Sequence, residues 1–288
     1  MEKPKVAAVI AARDEEKTIG QVIRALKSQT LPPSQIIVVD DGSRDRTGQI
    51  AEEMGCQVVR LPRHEESWLG RPELAKVYNA GLKQVEPDAD YVLIVDADTI
   101  LPPNYIEELV RRVQGTDIVV ASGRIEGQPF AEMSPRGTGR LVDARWWRSA
   151  VGELKYPVVW GRDTWLLVKA LQMGRKVACF KDVVMKATRY ATLSPKRALL
   201  LGYAMRAIGY FWPYALDRCL TTFFNSPSSG IAMLVGWLTA RVEKLDVADW
   251  FRDVQKKLFL RGGLLRKIKG LFKRMVSIPN LLYWRKKR

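Results

Sequence analysis

The sequence is poor in the residues that disulfide frameworks and zinc sites require. Its 288 residues include three cysteines, Cys56, Cys179 and Cys219, which are widely spaced and odd in number. Such cysteines build no disulfide framework and have no zinc-binding spacing, which fits a reducing compartment. The presence of one histidine, His64, nearly excludes a His–carboxylate catalytic triad or a multi-histidine metal site.

Glycine-rich phosphate loops and a targeting segment are also missing. Neither GxxxxGK(S/T) nor GxGxxG follows any predicted strand, so P-loop and dinucleotide-binding folds are poorly supported. The first residues, MEKPKVAAVIAARDEEK, return to charge before they build an apolar core of signal-peptide length. We therefore expect no secretion signal.

Positive charge is concentrated toward the end of the sequence. The formal net charge is +16, and from Arg252 onward thirteen basic residues accompany one acid. The preceding residues are close to charge balance. Electrostatic binding to an acidic partner is therefore expected of this basic tail rather than of the rest of the chain.

Apolar runs and amphipathic segments alternate over the first 125 residues. Short apolar runs bounded by turn residues predict strands, and apolar residues that recur every three or four positions predict helices. This alternation predicts an α/β fold with a mostly parallel central sheet and right-handed crossovers. The predicted strands cover residues 5–12, 35–41, 56–62, 91–98 and 117–123, and the predicted helices cover 18–28, 47–54, 75–85 and 104–113.

Acidic clusters follow three of these strands. They lie in ARDEE (12–16), DDGSRD (40–45) and YVLIVDADTILPP (91–103). Because ligands of parallel sheets bind beyond the carboxyl ends of the strands, we expect these acids to line one crevice. Asp96 and Asp98 stand two residues apart and predict a divalent-metal site open to phosphate oxygens. The alternative is a solvated strand end that opens a turn.

Four motifs, in this order, resemble those of the family 2 glycosyltransferases of the GT-A fold, over roughly residues 5–210. They are VIAARDEEKTIG (9–20), VVDDGSRDRT (38–47), SWLGRPELAKVYNAGL (67–82) and VDADT (95–99). Asp14 stands where the family usually has an asparagine. The resemblance implies the GT-A fold, a nucleotide diphosphate sugar as donor, and Mg²⁺ or Mn²⁺ as cofactor.

The resemblance also implies the residues of the nucleotide-sugar site. Glu15 and Asp41 would hold the ribose and the base. Asp96 and Asp98 would face the metal and the diphosphate, with Asp98 the more direct ligand. Arg71 would lie near the phosphates or be a surface cation, and Asp41 could instead be a turn acceptor. The implied set is Ala12, Arg13, Glu15, Asp41, Arg71, Asp96, Ala97 and Asp98.

A fifth segment, WGRDTWLLVKALQMGRKVACFKD (160–182), resembles the family's Glu-Asp motif. Arg162 stands in place of the usual acid, whereas Asp163 keeps its place before a helix predicted over 164–173, which Gly174 ends. The resemblance implies that Asp163 is the general base that deprotonates an attacking hydroxyl, so that one displacement inverts the anomeric configuration. The alternative is that Asp163 caps the helix.

A second departure from the family follows the next strand. The run VVMK places Lys186 at the position of a frequent family histidine, and lysine is a poor metal ligand at neutral pH. The metal would therefore rely on Asp98, the diphosphate and water, or Lys186 or Arg189 would contact phosphate directly. Arg206 is a further candidate for a phosphate or acceptor contact.

Residues 193–288 are apolar, aromatic and basic. The stretch 219–240 has no charged residue, but 225–230 interrupts it, which favours a re-entrant or interfacial hairpin over one bilayer crossing. Further on, an amphipathic pattern predicts a helix that lies in an anionic membrane surface. The alternatives are a helix docked on the catalytic domain and a nucleic-acid-binding tail, although phosphate-backbone binding needs no apolar stripe. The apolar face comprises Leu264, Leu265, Ile268, Leu271 and Phe272, and the basic residues beside it include Lys269, Lys273 and Arg274.

Together these features predict a peripheral or monotopic glycosyltransferase on the cytoplasmic face of a membrane, with no nucleic-acid partner. It would move a sugar, with inversion, from a UDP- or GDP-sugar to a lipid-linked acceptor, such as polyprenyl phosphate, or to a glycolipid. Residues 1–192 would form the catalytic domain, with 1–125 as the nucleotide-binding half and 126–192 as the acceptor and base half, and 193–288 would be a helical membrane-associating region. The competing hypotheses are an inactive membrane scaffold and a sugar-phosphate nucleotidyltransferase, although AARDEEKTIG lacks the glycine-rich loop of the latter.

Overall fold

The computed structural model of the chain describes residues 3–189 and 193–261. The chain divides into two compact units, residues 1–192 and 193–288, each with a hydrophobic cluster of its own. The predicted membrane-surface helix lies outside the described residues and stays a prediction. Its residues are Leu264, Leu265, Ile268, Lys269, Leu271, Phe272, Lys273 and Arg274.

Within residues 3–189, the first unit has one eight-stranded sheet, in the order β3-β2-β1-β4-β7-β6-β8-β5. The strands are β1 (Val6–Ala12), β2 (Gln35–Asp40), β3 (Gln57–Arg60), β4 (Tyr91–Asp96), β5 (Thr99–Ile100), β6 (Ile118–Ile125), β7 (Arg140–Asp143) and β8 (Lys176–Ala187). The helices are α1 (Ile19–Lys27), α2 (Thr47–Glu53), α3 (Leu74–Leu82), α4 (Tyr105–Val113), α5 (Ala144–Val151) and α6 (Arg162–Gln172). Pairing is parallel from β3 through β4 and between β6 and β8.

The central strands are apolar throughout because helices cover both of their faces. On one face, Ile10 of β1 belongs to the same buried cluster as Leu26 of α1. On the other face, α3 approaches so closely at Gly81 that a Cβ there would lie 2.7 Å from the Val9 side chain. The predicted α/β fold with a mostly parallel sheet is therefore confirmed.

Two strands do not emerge from the apolar pattern of the sequence. β5 has two residues and β7 has four, which is too short for a periodicity to show. β7 lies between β4 and β6 and runs antiparallel to both. The reversal brings the residues around the start of β7 beside the end of β4, where the Asp96 N–H donates to Thr138 Oγ1 at 2.9 Å. The segment just before β7, a strand that the sequence pattern does not predict, thus places Thr138 beside the acidic end of β4.

Over residues 193–261 the second unit is helical. Its helices are α7 (Pro195–Ile208), α8 (Trp212–Asn225), α9 (Pro227–Thr239) and α10 (Ala248–Arg261). α7 and α9 approach closely at two glycines, because a Cβ on Gly202 or Gly236 would lie 2.3 Å from a carbonyl oxygen of the facing helix. The uncharged stretch of the sequence forms part of α8 and all of α9, with a break at Ser226. Of the helices in the two described ranges, none is both long and apolar enough to cross a membrane.

Candidate functional site

The acidic ends of β1, β2 and β4 lie side by side at one edge of the sheet. In the parallel register, Ala12 pairs with Asp40, and Ala11 pairs with Asp96. The Asp41 N–H donates to the Ala12 carbonyl oxygen at 2.9 Å, which continues the contact between the first two strands by one residue. Side chains that follow these strands can therefore act on one ligand.

The carboxylate of Asp41 is already bound by His64, the single histidine of the sequence. His64 Nε2 lies 3.0 Å from Asp41 Oδ1, and the His64 ring stacks on Trp68 with ring centroids 3.7 Å apart. Arg13 donates to the carbonyl oxygens of His64 and Glu66 and so ties this loop to the end of β1. Burial raises the pKa of Asp41, and the hydrogen bond with His64 offsets only part of that rise. The stacked His64 ring thus already bonds the carboxylate of Asp41, one of the two acids that, by the resemblance, would hold the ribose and the base of the nucleotide.

The loop after β1 is built on Asp14 rather than on the asparagine usual in the family. Asp14 has a φ of +54°, in the left-handed region that Asn and Asp adopt more readily than other residues with a Cβ. Its N–H donates to Ser43 Oγ at 3.0 Å, and its Oδ1 accepts the N–H of Arg44 at 2.7 Å. Asp14 therefore fits the left-handed backbone conformation at this position, and its hydrogen bonds join the loops that follow β1 and β2.

Arg189 lies between two of the predicted donor-binding carboxylates. Its Nη2 donates to Glu15 Oε1, and its Nε donates to Asp98 Oδ2 at 3.4 Å. Glu15 is itself positioned by its N–H, which donates to Thr47 Oγ1 at 2.7 Å. The Arg189 side chain is 60% exposed. A solvent-exposed guanidinium therefore spans the carboxylates that the resemblance assigns to ribose, metal and diphosphate.

Asp96 is fixed by hydrogen bonds from the structure around it. Tyr78 Oη donates to Asp96 Oδ1 at 3.0 Å, in addition to the backbone contact with Thr138. Burial raises the pKa of Asp96 to about 6, although the hydrogen bond from Tyr78 works in the opposite direction. Ala97 is buried, and Asp98 follows it with a partly exposed carboxylate. Asp98 is therefore the acid of this pair that a ligand reaches more readily.

Asp163 lies in the first turn of α6 beside two arginines. Arg140 Nη1 is 3.5 Å from Asp163 Oδ1, and Arg162 Nη2 is 3.6 Å from Asp163 Oδ2. Burial favours protonation, but the charges of Arg162 and Arg140 outweigh it and hold the pKa of Asp163 below its ordinary value. The side chain is 45% exposed, so an ionised carboxylate faces solvent. Gly161 occupies the cap position of α6, and the alternative hypothesis that Asp163 caps this helix is wrong.

Arg162, which replaces the usual acid of the motif, is enclosed by aromatic rings. Its guanidinium carbon lies 4.7 Å from the ring centroid of Tyr78 and 5.5 Å from that of Tyr156, a cation–π arrangement. The side chain is 10% exposed, and its Nε has no hydrogen-bond acceptor among the described residues. Tyr78 occupies an inward position of α3, which is a weak sequence signal. No motif marks Tyr156 or Arg140.

Three of the predicted cations have other surroundings. Lys186 Nζ is exposed and lies 3.9 Å from a carboxylate oxygen of Glu126. Arg71 Nη1 donates to Glu66 Oε2 at 2.6 Å. Arg206 is an exposed residue of α7 in the second unit. Contacts of these three side chains with phosphate or acceptor stay predictions.

The oxygen ligands at the strand ends suit a hard divalent cation. In the part of the chain that the structure describes, no three His, Cys, Asp or Glu side chains are grouped so that they could hold a metal ion by themselves. Mg²⁺, however, is commonly bound by one or two carboxylates together with substrate phosphates and water. Asp98, with Asp96 behind it, fits that pattern if Arg189 moves aside.

Comparison with known proteins identifies the family of the first unit. The family model described as Glycosyl transferase family 2 matches residues 7–179, more than half of the chain. EpsH of Bacillus subtilis is 30% identical over 146 residues, which are 50% of this chain and 38% of EpsH. The 4,4'-diaponeurosporenoate glycosyltransferase of Staphylococcus haemolyticus is 32% identical over 107 residues, which are 36% of this chain and 27% of that protein. The chain thus aligns with well under half of the length of these curated relatives.

A solved structure extends the likeness to the fold. The mannosyltransferase PcManGT from Pyrobaculum calidifontis, in complex with GDP-Man and Mn²⁺, superposes with a TM-score of 0.59 at 14% identity. The alignment covers 95% of this chain and 86% of PcManGT. Since the family match runs from β1 into β8 and so includes the acidic strand ends and the start of α6, the chain belongs to glycosyltransferase family 2 and has the GT-A fold.

Proposed function

We propose that this protein transfers a sugar, with inversion, from a nucleotide diphosphate sugar to a lipid-linked or glycolipid acceptor. The observation that carries the proposal is the convergence of Glu15, Asp41 and Asp98 at neighbouring strand ends. Carboxylates accept hydrogen bonds from ribose hydroxyls and base N–H groups, and they bind divalent cations. Membership of family 2 supports this donor class, as does the likeness to PcManGT, whose structure holds GDP-Man and Mn²⁺.

Donor binding requires two existing contacts to open. His64 has to release or share Asp41, and Arg189 has to release or share Glu15 and Asp98. Both partners belong to loops. The Arg189 side chain is mostly exposed, so its contacts exchange readily with solvent. The His64 and Asp41 side chains are only 16% and 8% exposed, so a donor has to displace a contact that is largely shielded from solvent. Mg²⁺ or Mn²⁺ would be held by Asp98 and Asp96 and would stabilise the charge of the departing diphosphate.

Asp163 is the proposed proton acceptor for a hydroxyl nucleophile. It is ionised at neutral pH because of its two arginines, and its partial exposure leaves it accessible to an acceptor. A carboxylate that deprotonates the attacking hydroxyl leads to one displacement at the anomeric carbon, and one displacement inverts the configuration. The same arginines make Asp163 a weaker base than an ordinary carboxylate.

A membrane-proximal acceptor is supported by the surface of the second unit. Large apolar side chains are exposed along α8 and α9, and the sequence beyond α10 is strongly basic. Apolar and basic groups together suit the interface of an anionic membrane. We therefore propose that the protein lies peripherally on a membrane, and that this surface is the anionic, cytoplasmic face. The exposed side chains are Trp212, Leu216, Phe223, Phe224, Ile231, Val235 and Leu238.

Calorimetric titration of UDP and GDP, with and without Mn²⁺, tests the donor site. We expect one of the two nucleotides to bind wild type with a strong Mn²⁺ dependence. Asp98→Ala should weaken this binding by about two orders of magnitude, because removing one partner of a close charged contact costs about 2–5 kcal/mol of binding free energy. Asp88→Ala is the matched control, since Asp88 is an exposed aspartate paired with Lys5 before β4.

Two results would contradict the proposal. If Asp98→Ala bound nucleotide as wild type does, the metal-binding assignment would be wrong. If wild type bound neither nucleotide under any metal condition, the inactive scaffold would become the better hypothesis, with Arg189 as a permanent partner of Glu15 and Asp98.

A further inference from the structure

The loop between β3 and α3, residues 61–73, places two aromatic rings beside the end of β2. The edge of the His64 ring meets a carboxylate, with Nε2 3.0 Å from Asp41 Oδ1. The face of the same ring lies on the indole of Trp68, with an angle of 8° between the two planes. An edge hydrogen bond and a face stack are the two contacts by which proteins hold a nucleobase. The imidazole of His64 therefore makes the contacts that a base would make.

A base at Asp41 would lie in the place of this imidazole. If its N–H edge donates to Asp41 as the imidazole does, the plane of its ring falls under the same face of Trp68. The bicyclic indole is larger than the imidazole that it now covers, so it can cover the ring of a base as well. Stacking on an aromatic side chain suits every base, because each base has a π-face.

The backbone of the loop is held by contacts that do not involve the His64 ring. Arg13 donates to the carbonyl oxygens of His64 and Glu66. The N–H of Arg71 donates to the carbonyl oxygen of Trp68 at 2.9 Å. The imidazole can therefore leave Asp41 by rotation of its side chain, while the indole stays in position.

Solvent is close to the ring on the loop side. Arg63 and Glu65, the two neighbours of His64, are both exposed. A ring that rotates away from Asp41 can therefore turn into water. It gives up one hydrogen bond and one stack, and a base that takes its place forms one of each, so the exchange is close to balanced.

We propose that Trp68 is the stacking surface for the nucleobase of the donor, and that His64 occupies the place of the base until the donor binds. This inference rests on the proposed function and names two further side chains of its donor site. His64 competes with the base for Asp41, whereas Trp68 binds the base. The two members of one stack therefore have opposite effects on nucleotide affinity.

Calorimetric titration of UDP and GDP in the presence of Mn²⁺, on the full chain in detergent micelles, tests this opposition. Trp68→Ala should weaken binding by about tenfold, a factor typical of the loss of one base–aromatic stack. Trp68→Phe should keep most of the affinity, because a ring face remains. His64→Ala should tighten binding by about fivefold, since a competing hydrogen bond is gone. If the stack only held the loop in shape, removal of either ring would weaken binding.

A matched control and a folding check accompany these variants. Trp250 is a partly exposed tryptophan of α10 in the second unit. Trp250→Ala should leave nucleotide affinity unchanged. One cooperative urea transition in each variant, at the denaturant concentration of wild type, shows that the changes in affinity are local.

Chemical modification follows the His64 ring directly. Diethyl pyrocarbonate acylates accessible imidazole nitrogens, and the chain has a single histidine, so mass spectrometry of the peptide that contains His64 measures its reactivity. The side chain is 16% exposed in the stacked position. Saturation of wild type with the nucleotide that binds should raise the modification rate several-fold, because the ring is released into solvent. A ligand that merely lies over His64 would lower the rate.

Each contrary result overturns the inference. Weaker or unchanged binding by His64→Ala, unchanged binding by Trp68→Ala, or protection of His64 by nucleotide would do so, while nucleotide binding by wild type and the proposed function stand. Failure of wild type to bind UDP or GDP would overturn the proposed function and, with it, this inference.

Discussion

Two clusters of the first unit hold their carboxylates with arginines of different burial. In the Arg189 cluster, Arg189 reaches Glu15 and Asp98 from the loop after β8, and its side chain is 60% exposed, whereas those of Glu15 and Asp98 are 14% and 23% exposed. In the Asp163 cluster, the side chains of Arg140 and Arg162 are 2% and 10% exposed, and both contact Asp163, which is 45% exposed. Arg189 is therefore open to solvent, whereas Arg140 and Arg162 belong to the interior of the protein.

This difference separates a contact that a ligand can displace from one that the fold requires. An exposed ion pair contributes about 0–1 kcal/mol, so metal or nucleotide can compete with Arg189 for its carboxylates. Arg140 also donates to the carbonyl oxygens of Arg136, Pro135 and Asp163, and these oxygens would lose a partner without it. The positive charge near Asp163 is therefore fixed by the fold, whereas the proposed divalent cation would replace the charge of Arg189 near Asp98.

The largest expected effect is the loss of the buried arginine. Arg140→Met should lower the free energy of unfolding by about 3–5 kcal/mol, because it leaves an acid and several carbonyl oxygens without their buried partner. Arg189→Met is the same substitution at an exposed arginine, and it should change the free energy of unfolding by no more than about 1 kcal/mol. Urea denaturation followed by circular dichroism measures both. Equal losses in the two variants would abolish the distinction between the Arg189 cluster and the Asp163 cluster.

A smaller effect concerns competition for Asp98. Arg189→Met should lower the Mn²⁺ concentration needed for half-maximal nucleotide binding by about two- to fivefold, since the competing cation is worth at most about 1 kcal/mol. The measurement is a Mn²⁺ titration at fixed UDP or GDP, whichever binds wild type. Arg175→Met provides the control, because Arg175 forms a comparable exposed pair with Asp117. A higher Mn²⁺ requirement in Arg189→Met would mean that this arginine assists the metal site instead of competing with it.

The sheet is predictable from the sequence where its strands are long, apolar and followed by a marked turn. The strand that ends at Asp40 and the one that ends at Asp96 stand out because most of their positions are buried on both faces, so each contains an unbroken apolar run before its acid. β7 is not predicted as a strand, because its sequence, RLVD, has a charged residue at each end. Its position between β4 and β6 depends on pairing with distant strands, which a local pattern does not contain.

The sequence predicts the acids of the candidate site but not the side chains that pair with them. Asp98 and Asp163 belong to local motifs, so a resemblance locates them along the chain. The contact of Glu15 with Arg189 joins residues 174 positions apart, and that of Asp41 with His64 joins residues 23 positions apart. Such contacts result from how the loops fold over the sheet edge. The resemblance identifies the acids, and only the structure shows which of their charges are already balanced.

The smallest expected effect is a pH dependence of stability in the Asp163 cluster. In the folded chain the pKa of Asp163 lies below its ordinary value, so as pH falls the unfolded chain takes up this proton first. The stabilising contribution of the carboxylate is therefore complete above the ordinary pKa of about 4 and is lost as pH falls through the lower folded value. The difference in free energy of unfolding between wild type and Asp163→Asn should be constant from pH 8 to pH 5 and should shrink below pH 4. In an Arg162→Met background the pH-dependent loss should be smaller, because the folded pKa of Asp163 rises toward or above the unfolded value when one of the two charges that lower it is gone. Urea denaturation at stepped pH measures both differences, and an unchanged pH dependence in that background would show that the buried arginine does not control the charge of Asp163.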